Sequence, residues 1–569
     1  NLSASDVVPD SPENNFATMN PLNKSTSMPH FSEGNLKLAP NAGNYNMAVS
    51  NMGVSSGKFY YEFGITGATN SADIHGIIDL SGIDYSNTNT TSVATKGYAY
   101  YALNGNKIGL GSQTSFGASY GNGDIISVAL DIDAGKVWFA KNGTYQASGN
   151  PATGANEAFS GLSGTYFAGA TLYAGGFSAV IFNFGQDSSF AGTETAQGNT
   201  DANDIGDFYY APPSGYLALC TANLPEPTIG ANSLTQADDY FNTVLYSGNG
   251  GTQAITGVGF QPDWVWIKER SSTSSHALFD SNRGVTNLLS SDASSAETDS
   301  NSSLTAFGTD GFTSDGDGKT NQSSQTYVAW NWKANGGTTV TNEAGSIDST
   351  VQANTDAGFS IVTYTGTGSN ATVGHGLGVA PDMVIVKNRN TTNNWMVYFS
   401  ELNQAAYLDL TNSFDTARAV SSFQGTAPTT SVINIGTAAS TNGNTNNIIA
   451  YCFHSVEGYS KFGSYTGNGN ADGTFVFTGF RPAFVMLKDI GGGEWGMFDS
   501  ARNTFNVVNK LLQANVSDAE YSGDSNRDLD FLSNGFKLRN GSALVFNGSS
   551  RSLIYMAFAE SPFKYANAR

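Results

Sequence analysis

The chain has 569 residues, room for about three to five domains that each bury their own core. Only 13% of them are charged, against the ~25% usual for globular proteins. With 26 Lys and Arg and a formal net charge of −21 it would repel phosphate backbones, which excludes nucleic acid as a partner.

No apolar run approaches the ~20 residues of a membrane span, so membrane insertion is not expected. The chain opens on Asn1 without a signal-peptide pattern, and its start reads as trimmed or processed. Of the 47 acidic residues 33 are Asp and 14 are Glu; Asp favours turns and Glu favours helices, so loops should be many and helices few. Cys220 and Cys452 stand far apart and read as buried thiols, with neither a disulfide framework nor a metal site between them.

Residues 1–56 read as a leader that packs in part on the domain after it. Residues 57–190 follow as a run of short strands. "ISVALDIDAGKVWFAKNG" alternates Val128, Leu130 and Ile132 inward against Asp131 and Asp133 outward. It turns at Asp133-Ala-Gly-Lys, returns through Val137 and Phe139, and turns again at Asn142-Gly143. "YAYYALNGNKIGL" repeats the device around Asn104-Gly105. Several strands at such spacing predict a β-sandwich.

"GKFYYEFGI" (Gly57 to Ile65), "GDIISVALDIDAGKVWFAKNG" (Gly123 to Gly143) and "AVIFNFGQ" (Ala179 to Gln186) resemble the SPRY domain, a two-sheet sandwich related in shape to the concanavalin-type lectin fold. The resemblance implies a binding module whose loops recognise a ligand, and it implies no catalysis.

A connector, 191–240, leads to three stretches that say nearly the same thing: "GFQPDWVWIKERSS" from Gly259, "GVAPDMVIVKNRN" from Gly378 and "GFRPAFVMLKDIGG" from Gly479. Proline and lysine stand six residues apart each time, at Pro262 and Lys268, Pro381 and Lys387, Pro482 and Lys488. Upstream lie "YSGNG" at Tyr246, "YTGTG" at Tyr364 and "YTGNG" at Tyr465; downstream lie "YVAWNW", "IAYCFH" and "YMAFAE". These units of domain size are expected as separate beads, 241–340, 341–458 and 459–569. In the first, Val265 and Ile267 face one side of a strand, and Trp264, Trp266 and Lys268 face the other. Apolar groups on both faces predict an internal strand. Each proline sets a strand start, and each lysine is expected to pack its stem and keep its ammonium in water. The whole chain is therefore expected to be all-β and multidomain, a SPRY-like sandwich followed by three sandwich-like repeats.

Polar candidates are few. Asp280 with Arg283 and Asp499 with Arg502 read as turn-stabilising ion pairs. The middle unit breaks this pattern, with "YFSEL" (Tyr398 to Leu402) where the others have "FDSNR" and "FDSAR". "SDGDGKTN" offers Asp315, Asp317 and Asn321 as oxygen ligands for Ca2+, but Thr326 stands where an EF-hand needs an acidic residue, so a solvated turn is the preferred reading. Asp131 and Asp133 are likewise expected to be solvated. No cofactor is called for, and no catalytic residue is assigned. Aromatics make up 12% of the chain; most are expected in the core, and those on loops could stack on sugar rings.

The leader "DSPENNFATMNPL", the connector "YYAPPSGYLALCTANLPEPTI" and above all "AGFSIVTYTGTGSNATVGHGLGVAPDMVIVKNRN" resemble segments of tail or fibre proteins of marine bacteriophages. The resemblance implies a non-catalytic protein of the virion exterior, a tail fibre or adhesin for host-surface glycan or protein. Its expected partners are other virion proteins and further copies of itself, a trimer being favoured. A capsid decoration or head-fibre protein is the alternative, and a polysaccharide depolymerase comes third.

Overall fold

The computed structural model describes residues 10–11, 13–24, 29–40, 45–67, 72–80, 93–173, 178–230, 235–523, 525–540 and 545–566. The reading of the chain start falls on residues 1–9, outside the described residues. The chain divides into two compact units, Asn1–Glu226 and Pro227–Arg569. Both are almost entirely β.

In the first unit two antiparallel sheets build a sandwich. One sheet centres on Tyr45–Val54, Tyr166–Tyr173 and Ile74–Asp79, the other on Lys136–Lys141, Ile125–Asp131, Lys58–Gly67 and Ser178–Asn183. The expected hairpins are present: Ile125–Asp131 pairs with Lys136–Lys141, which turns at Asn142-Gly143 to pair with Thr144–Tyr145, and Gly97–Tyr101 pairs with Lys107–Gly109. Both turn residues, Asn142 and Gly143, have positive φ, as a tight hairpin requires. Asp131 is not solvated: it is buried and meets Lys58 Nζ at 3.0 Å. Asp133 accepts the N–H of Gly57 at 2.8 Å and so ties the hairpin to the neighbouring strand.

Two boundary expectations are corrected. The described leader residues belong to the sandwich, since Met19–Lys24 pairs with Tyr45–Val54, and Lys37–Ala39 pairs with Ser178–Asn183. Most of the expected connector does too. Leu217–Ala218 adds in parallel to Lys58–Gly67, while Phe208, Tyr216 and Cys220 pack with Phe16, Tyr60 and Trp138. Apolar side chains in 205–220 need a surface to cover them, and the sandwich supplies it.

In the second unit the strands used below are β1 (Phe241–Ser247), β2 (Trp264–Glu269), β3 (Ala277–Asp280), β4 (Thr326–Trp332), β5 (Ser349–Asn354), β6 (Phe359–Thr365), β7 (Met383–Asn388), β8 (Met396–Phe399), β9 (Asn447–Phe453), β10 (Ser460–Thr466), β11 (Phe480–Asp489), β12 (Trp495–Asp499) and β13 (Ser552–Pro562). They form three sheets with one strand order: β1-β4-β2-β3, then β6-β9-β7-β8 extended by β5, then β10-β13-β11-β12. The repeated landmarks are thus the two inner strands of each sheet. Pro262 and Pro381 precede their strands as expected, whereas Pro482 lies inside β11 at a register shift, where a bulge accommodates its missing N–H.

The three stretches are not beads. One face of each sheet turns to a core shared by all three, in which Trp264 stacks on Tyr451, Trp332 meets Phe484 edge-on and Phe453 meets Phe558 edge-on. The opposite faces of the first two sheets close over local cores, Val265 and Ile267 in one and Val384 and Val386 in the other. This accounts for strands that are apolar on both sides: the second cover is a neighbouring segment.

Candidate functional site

The shared core is layered by strand register. Trp264 beside Trp332, Met383 beside Phe453 and Phe484 beside Phe558 make one layer. Trp266 with Trp330, Ile385 with Tyr451 and Met486 with Met556 make the next. The third pairs Lys268 with Val328, Lys387 with Ile449 and Lys488 with Ile554.

All three lysines are fully buried, ammonium included, which corrects the expectation of a wet head. Lys268 Nζ donates to Glu269 O at 2.7 Å, Lys387 Nζ to Ser294 O at 2.7 Å and to Asn393 O, and Lys488 Nζ to Gly493 O. Burial pulls each ammonium down to about 8, against carboxylates that favour the charged form: Glu269, Asp292 and Asp518 for Lys268, Asp409 for Lys387, Glu494 and Asp489 for Lys488. The same environment lifts Asp409 to about 6. Lys387 and Lys488 tie a strand end to loop carbonyls, the Lys387 tie crossing to the first segment, while Lys268 bonds the carbonyl of the last residue of its own strand.

Beside each lysine, an aromatic ring reaches a carbonyl of another segment. Trp395 Nε1 donates to Ser290 O at 2.8 Å, Trp495 Nε1 to Tyr407 O at 2.9 Å, and His276 Nε2 to Gln513 O at 3.0 Å. His276 stands where the others have tryptophan. Its Nδ1 accepts from Trp266 Nε1 at 2.8 Å, so the ring is neutral with its proton on Nε2, and burial lowers its pKa to about 4. The three contacts run in a cycle: first segment to third, third to second, second to first.

The expected Asp–Arg pairs lie at two of these junctions and do more than lock a turn. Arg283 and Asp280 are wholly buried and paired. Arg283 also reaches Glu297 at 2.8 Å, Arg389 of the second segment grips Glu297 at 2.7 and 2.9 Å, and Tyr451 Oη donates to Asp280 at 2.7 Å. Between third and first segments the pattern recurs. Arg502 meets Asp499 at 2.5 Å and Glu520 at 3.2 Å, Arg270 grips Glu520 at 2.8 and 2.9 Å, and Trp330 Nε1 donates to Asp499 at 3.0 Å. Burial alone would raise Glu297 and Glu520; two arginines around each prevail and hold both below the usual carboxylate value.

The third junction keeps the backbone and changes the chemistry. Glu297 N donates to Arg389 O and Glu520 N to Arg270 O, each at 2.9 Å; Phe414 N donates to Ile490 O at the same distance. Phe399 and Leu402 hold the places of the Asp and Arg, Met556 that of the tyrosine or tryptophan donor, and Ile490 and Phe414 those of the outer Arg and Glu. All five belong to the shared core or pack against it. That is the meaning of "YFSEL".

The repeated Tyr-x-Gly-x-Gly has an equally local cause. Tyr246, Tyr364 and Tyr465 donate to Thr320 O, Thr441 O and Phe546 O at 2.6, 2.6 and 2.7 Å. The next residue in each case is a buried asparagine, Asn321, Asn442 or Asn547, whose amide oxygen accepts the N–H after the first glycine. A Cβ at Gly248, Gly366 or Gly467 would lie 2.2, 2.3 or 2.4 Å from a facing carbonyl oxygen. Asn321 is therefore a clamp and not a calcium ligand: its oxygen holds Asn249 N–H, and its nitrogen holds Asn249 Oδ1 and Gly251 O. Asp315 and Asp317 accept the turn N–H groups of Gly316 and Lys319. Among the described residues no group of three or more His, Cys, Asp or Glu is placed to hold a metal, and no helix is long and apolar enough to cross a membrane.

Sequence reading named Asn321 only as a possible calcium ligand and missed Asn442, Asn547 and the junction residues Glu297, Glu520, Arg270 and Arg389. The asparagines had a signal: each stands five positions before the strand that closes its sheet, β4, β9 or β13.

In the first unit Glu62 is a buried acid. Burial lifts it to about 7 although it accepts from Tyr209 N, Tyr210 N and Tyr60 Oη, each at 2.8 Å. It pins the 209–210 strap to the sandwich.

A family model described as a domain of unknown function, DUF7483, matches residues 236–562, more than half of the chain. The chain belongs to that family. One DUF7483 match spans all three sheets, in keeping with their single core. A SPRY domain model matches residues 58–187, so a SPRY domain precedes the DUF7483 domain. Solved structures similar to the chain include the SPRY domain of human HERC1 (20% identity over 29% of this chain and 96% of that one, TM-score 0.25) and stonustoxin (16%, 30% and 27%, TM-score 0.24). A further human SPRY domain matches at 16% identity over 26% of this chain and 90% of that one, TM-score 0.20. No curated protein matches the chain by sequence.

Proposed function

We propose that the protein is a non-catalytic attachment protein of a bacteriophage virion exterior, a tail fibre or adhesin that binds host-surface glycan or protein and works as a homo-oligomer. The carrying observation is how the DUF7483 domain uses its charges. Arg270, Arg283, Arg389 and Arg502 bind carboxylates at junctions between segments, and the three repeat lysines are buried, Lys387 against a carbonyl of the first segment. Drawing these cations inward, in a chain only 13% charged, leaves more of the exterior to hydroxyls and amides, groups that hydrogen-bond neutral sugars. A SPRY sandwich adds a set of loops suited to recognition. On this reading the three segments are copies of one unit that now share a core, and oligomerisation multiplies weak contacts into avidity.

The test is to add purified, fluorescently labelled protein to host cells and to their isolated surface polysaccharide. Saturable binding with unchanged saccharide length is expected. Shortened saccharides would make it a depolymerase, and immunolabelling confined to the particle head would make it a decoration protein.

A further inference from the structure

Among the described residues strand β1 is the edge of the first sheet and pairs with β4 alone. Its ladder bonds are framed by Lys333 N to Tyr240 O and Gly248 N to Gln325 O, so the even-numbered residues bond β4 and the N–H and C=O groups of Phe241, Thr243, Leu245 and Ser247 point outward. Two of these outward groups are held by side-chain amides, Thr243 N by Asn242 Oδ1 at 2.8 Å and Ser247 O by Gln253 Nε2 at 3.2 Å. Leu245 is 42% exposed.

The molecule itself shows what fits such an edge. In the second segment β6 occupies the place of β1, and its outward residues are covered by β5, antiparallel, with Gln352 opposite Ile361 and Thr350 opposite Thr363. The turn of the first segment lies against that pair, Asn282 Nδ2 donating to Thr350 O and Ile361 O. A junction of this design therefore has room for a strand beyond its edge, and Thr243 and Leu245 hold the positions of Ile361 and Thr363.

Edge strands in soluble proteins are usually blunted by charge, proline or a bulge. β1 has none of these: it reads FNTVLYS and pairs with β4 without a register shift. An uncharged strand can meet its own copy without like charges facing each other. Turned antiparallel about Val244, it sets Thr243 opposite Leu245 of the other copy and Phe241 opposite Ser247, so outward donors face outward acceptors once the Asn242 and Gln253 side chains release Thr243 N and Ser247 O. Asp239, just before the strand, comes opposite Asn249, again without charge repulsion.

We infer that β1 is a pairing edge through which two copies of this chain join as an antiparallel β1–β1 ribbon centred on Val244. The contact is isologous and closes at two copies. It rests on the homo-oligomer part of the attachment reading, to which it gives an interface, and does not depend on what is attached.

The test is light scattering on the full chain at micromolar concentration. A mass of twice 59.7 kDa is expected, with association strengthening as salt screens the net charge of −21. Leu245→Lys, which sets an ammonium on the ribbon, should return the chain to a monomer with an unchanged melting curve. As a check on register, Thr243→Cys mixed with Leu245→Cys should give a disulfide-linked pair under mild oxidation. A monomeric or trimeric parent chain, or a dimer untouched by Leu245→Lys and uncrosslinked by the cysteine pair, would overturn the inference and leave host binding unaffected.

Discussion

Two junctions of the DUF7483 domain are built from buried Arg–Asp and Arg–Glu networks, and the third is built from Phe399, Leu402, Phe414, Ile490 and Met556 on the same backbone frame. The two solutions are not equivalent in what they do. A buried ion network costs desolvation and returns little net stability, but it tolerates no missing member; an apolar contact contributes by area and degrades gradually. Charged junctions also define register, because each guanidinium has a fixed set of acceptors: Arg283 reaches Asp280, Glu297, Leu278 O and Asn287 O. In a ring of three similar segments, two such keyed junctions suffice to order the third.

The largest expected effect breaks one key. Arg502→Ala leaves Asp499 and Glu520 buried with their charges uncompensated from within the third segment and should cost ~3–5 kcal/mol. Leu402→Ala at the equivalent place of the apolar junction removes only a half-buried side chain and should cost less, toward ~2 kcal/mol. Denaturant melts of the two variants give the comparison, and equal costs would show that the charged network adds nothing specific. Converting the whole first junction to the apolar set, Asp280→Phe, Arg283→Leu, Glu297→Phe, Arg389→Ile and Tyr451→Met together, should be far milder than Arg502→Ala.

The sequence displayed the members of this comparison but not their meeting. Period-two alternation identified the strands, and "YFSEL" marked the middle segment as different before any geometry. Alternation also showed that strands such as β2 are covered on both faces. It did not show by what, because a neighbouring segment and a private second sheet leave the same apolar pattern. The error on Lys268, Lys387 and Lys488 has the same root. A lysine at a strand end reaches water unless chain closes over it, and over Lys387 the loop carrying Ser294 comes from 93 positions away in the first segment. Arg270 and Arg389 were unreadable for that reason too. The SPRY sandwich was more legible because its hairpins are local, although the burial of Asp131 was not foreseen.

A smaller effect sharpens the comparison by pH. The junction between third and first segments uses neutral His276 where the others use Trp395 and Trp495. Its pKa falls from 6.5 to about 4 on folding, so below pH 6.5 the unfolded chain binds the extra proton. The stabilisation is complete above 6.5 and lost as pH falls through about 4, roughly 3 kcal/mol in all. Asp409, raised to about 6, works in the opposite direction over the same range, so the reading must come from a difference. Chemical melts at pH 7 and pH 4.5 should separate the parent from the double variant His276→Trp with Trp266→Met, which copies the third segment. The parent should lose more stability than the variant on acidification; parallel losses would remove His276 from the account. On the alkaline side Lys268, Lys387 and Lys488 descend from 10.5 to about 8. The unfolded chain then holds more protons between those values, and their contribution to stability rises with pH across that window.

The smallest expected effect asks whether the segments differ only at their junctions. Tyr246, Tyr364 and Tyr465 each donate one hydrogen bond to the carbonyl before the clamp asparagine, at 2.6, 2.6 and 2.7 Å. The rings stay packed when the hydroxyl goes, so Tyr→Phe at each site removes one bond and leaves a single carbonyl to find another donor, ~1 kcal/mol. The three clamps repeat one geometry, with the glycine Cβ positions closed off by facing backbone in all three. Their costs should therefore agree to within about 0.5 kcal/mol, measured one at a time by urea melts of the full chain. A cost at Tyr364 far from the other two would place the peculiarity of the middle segment in its loops as well. Matching costs would confine it to the junction, where Phe and Leu replace Asp and Arg.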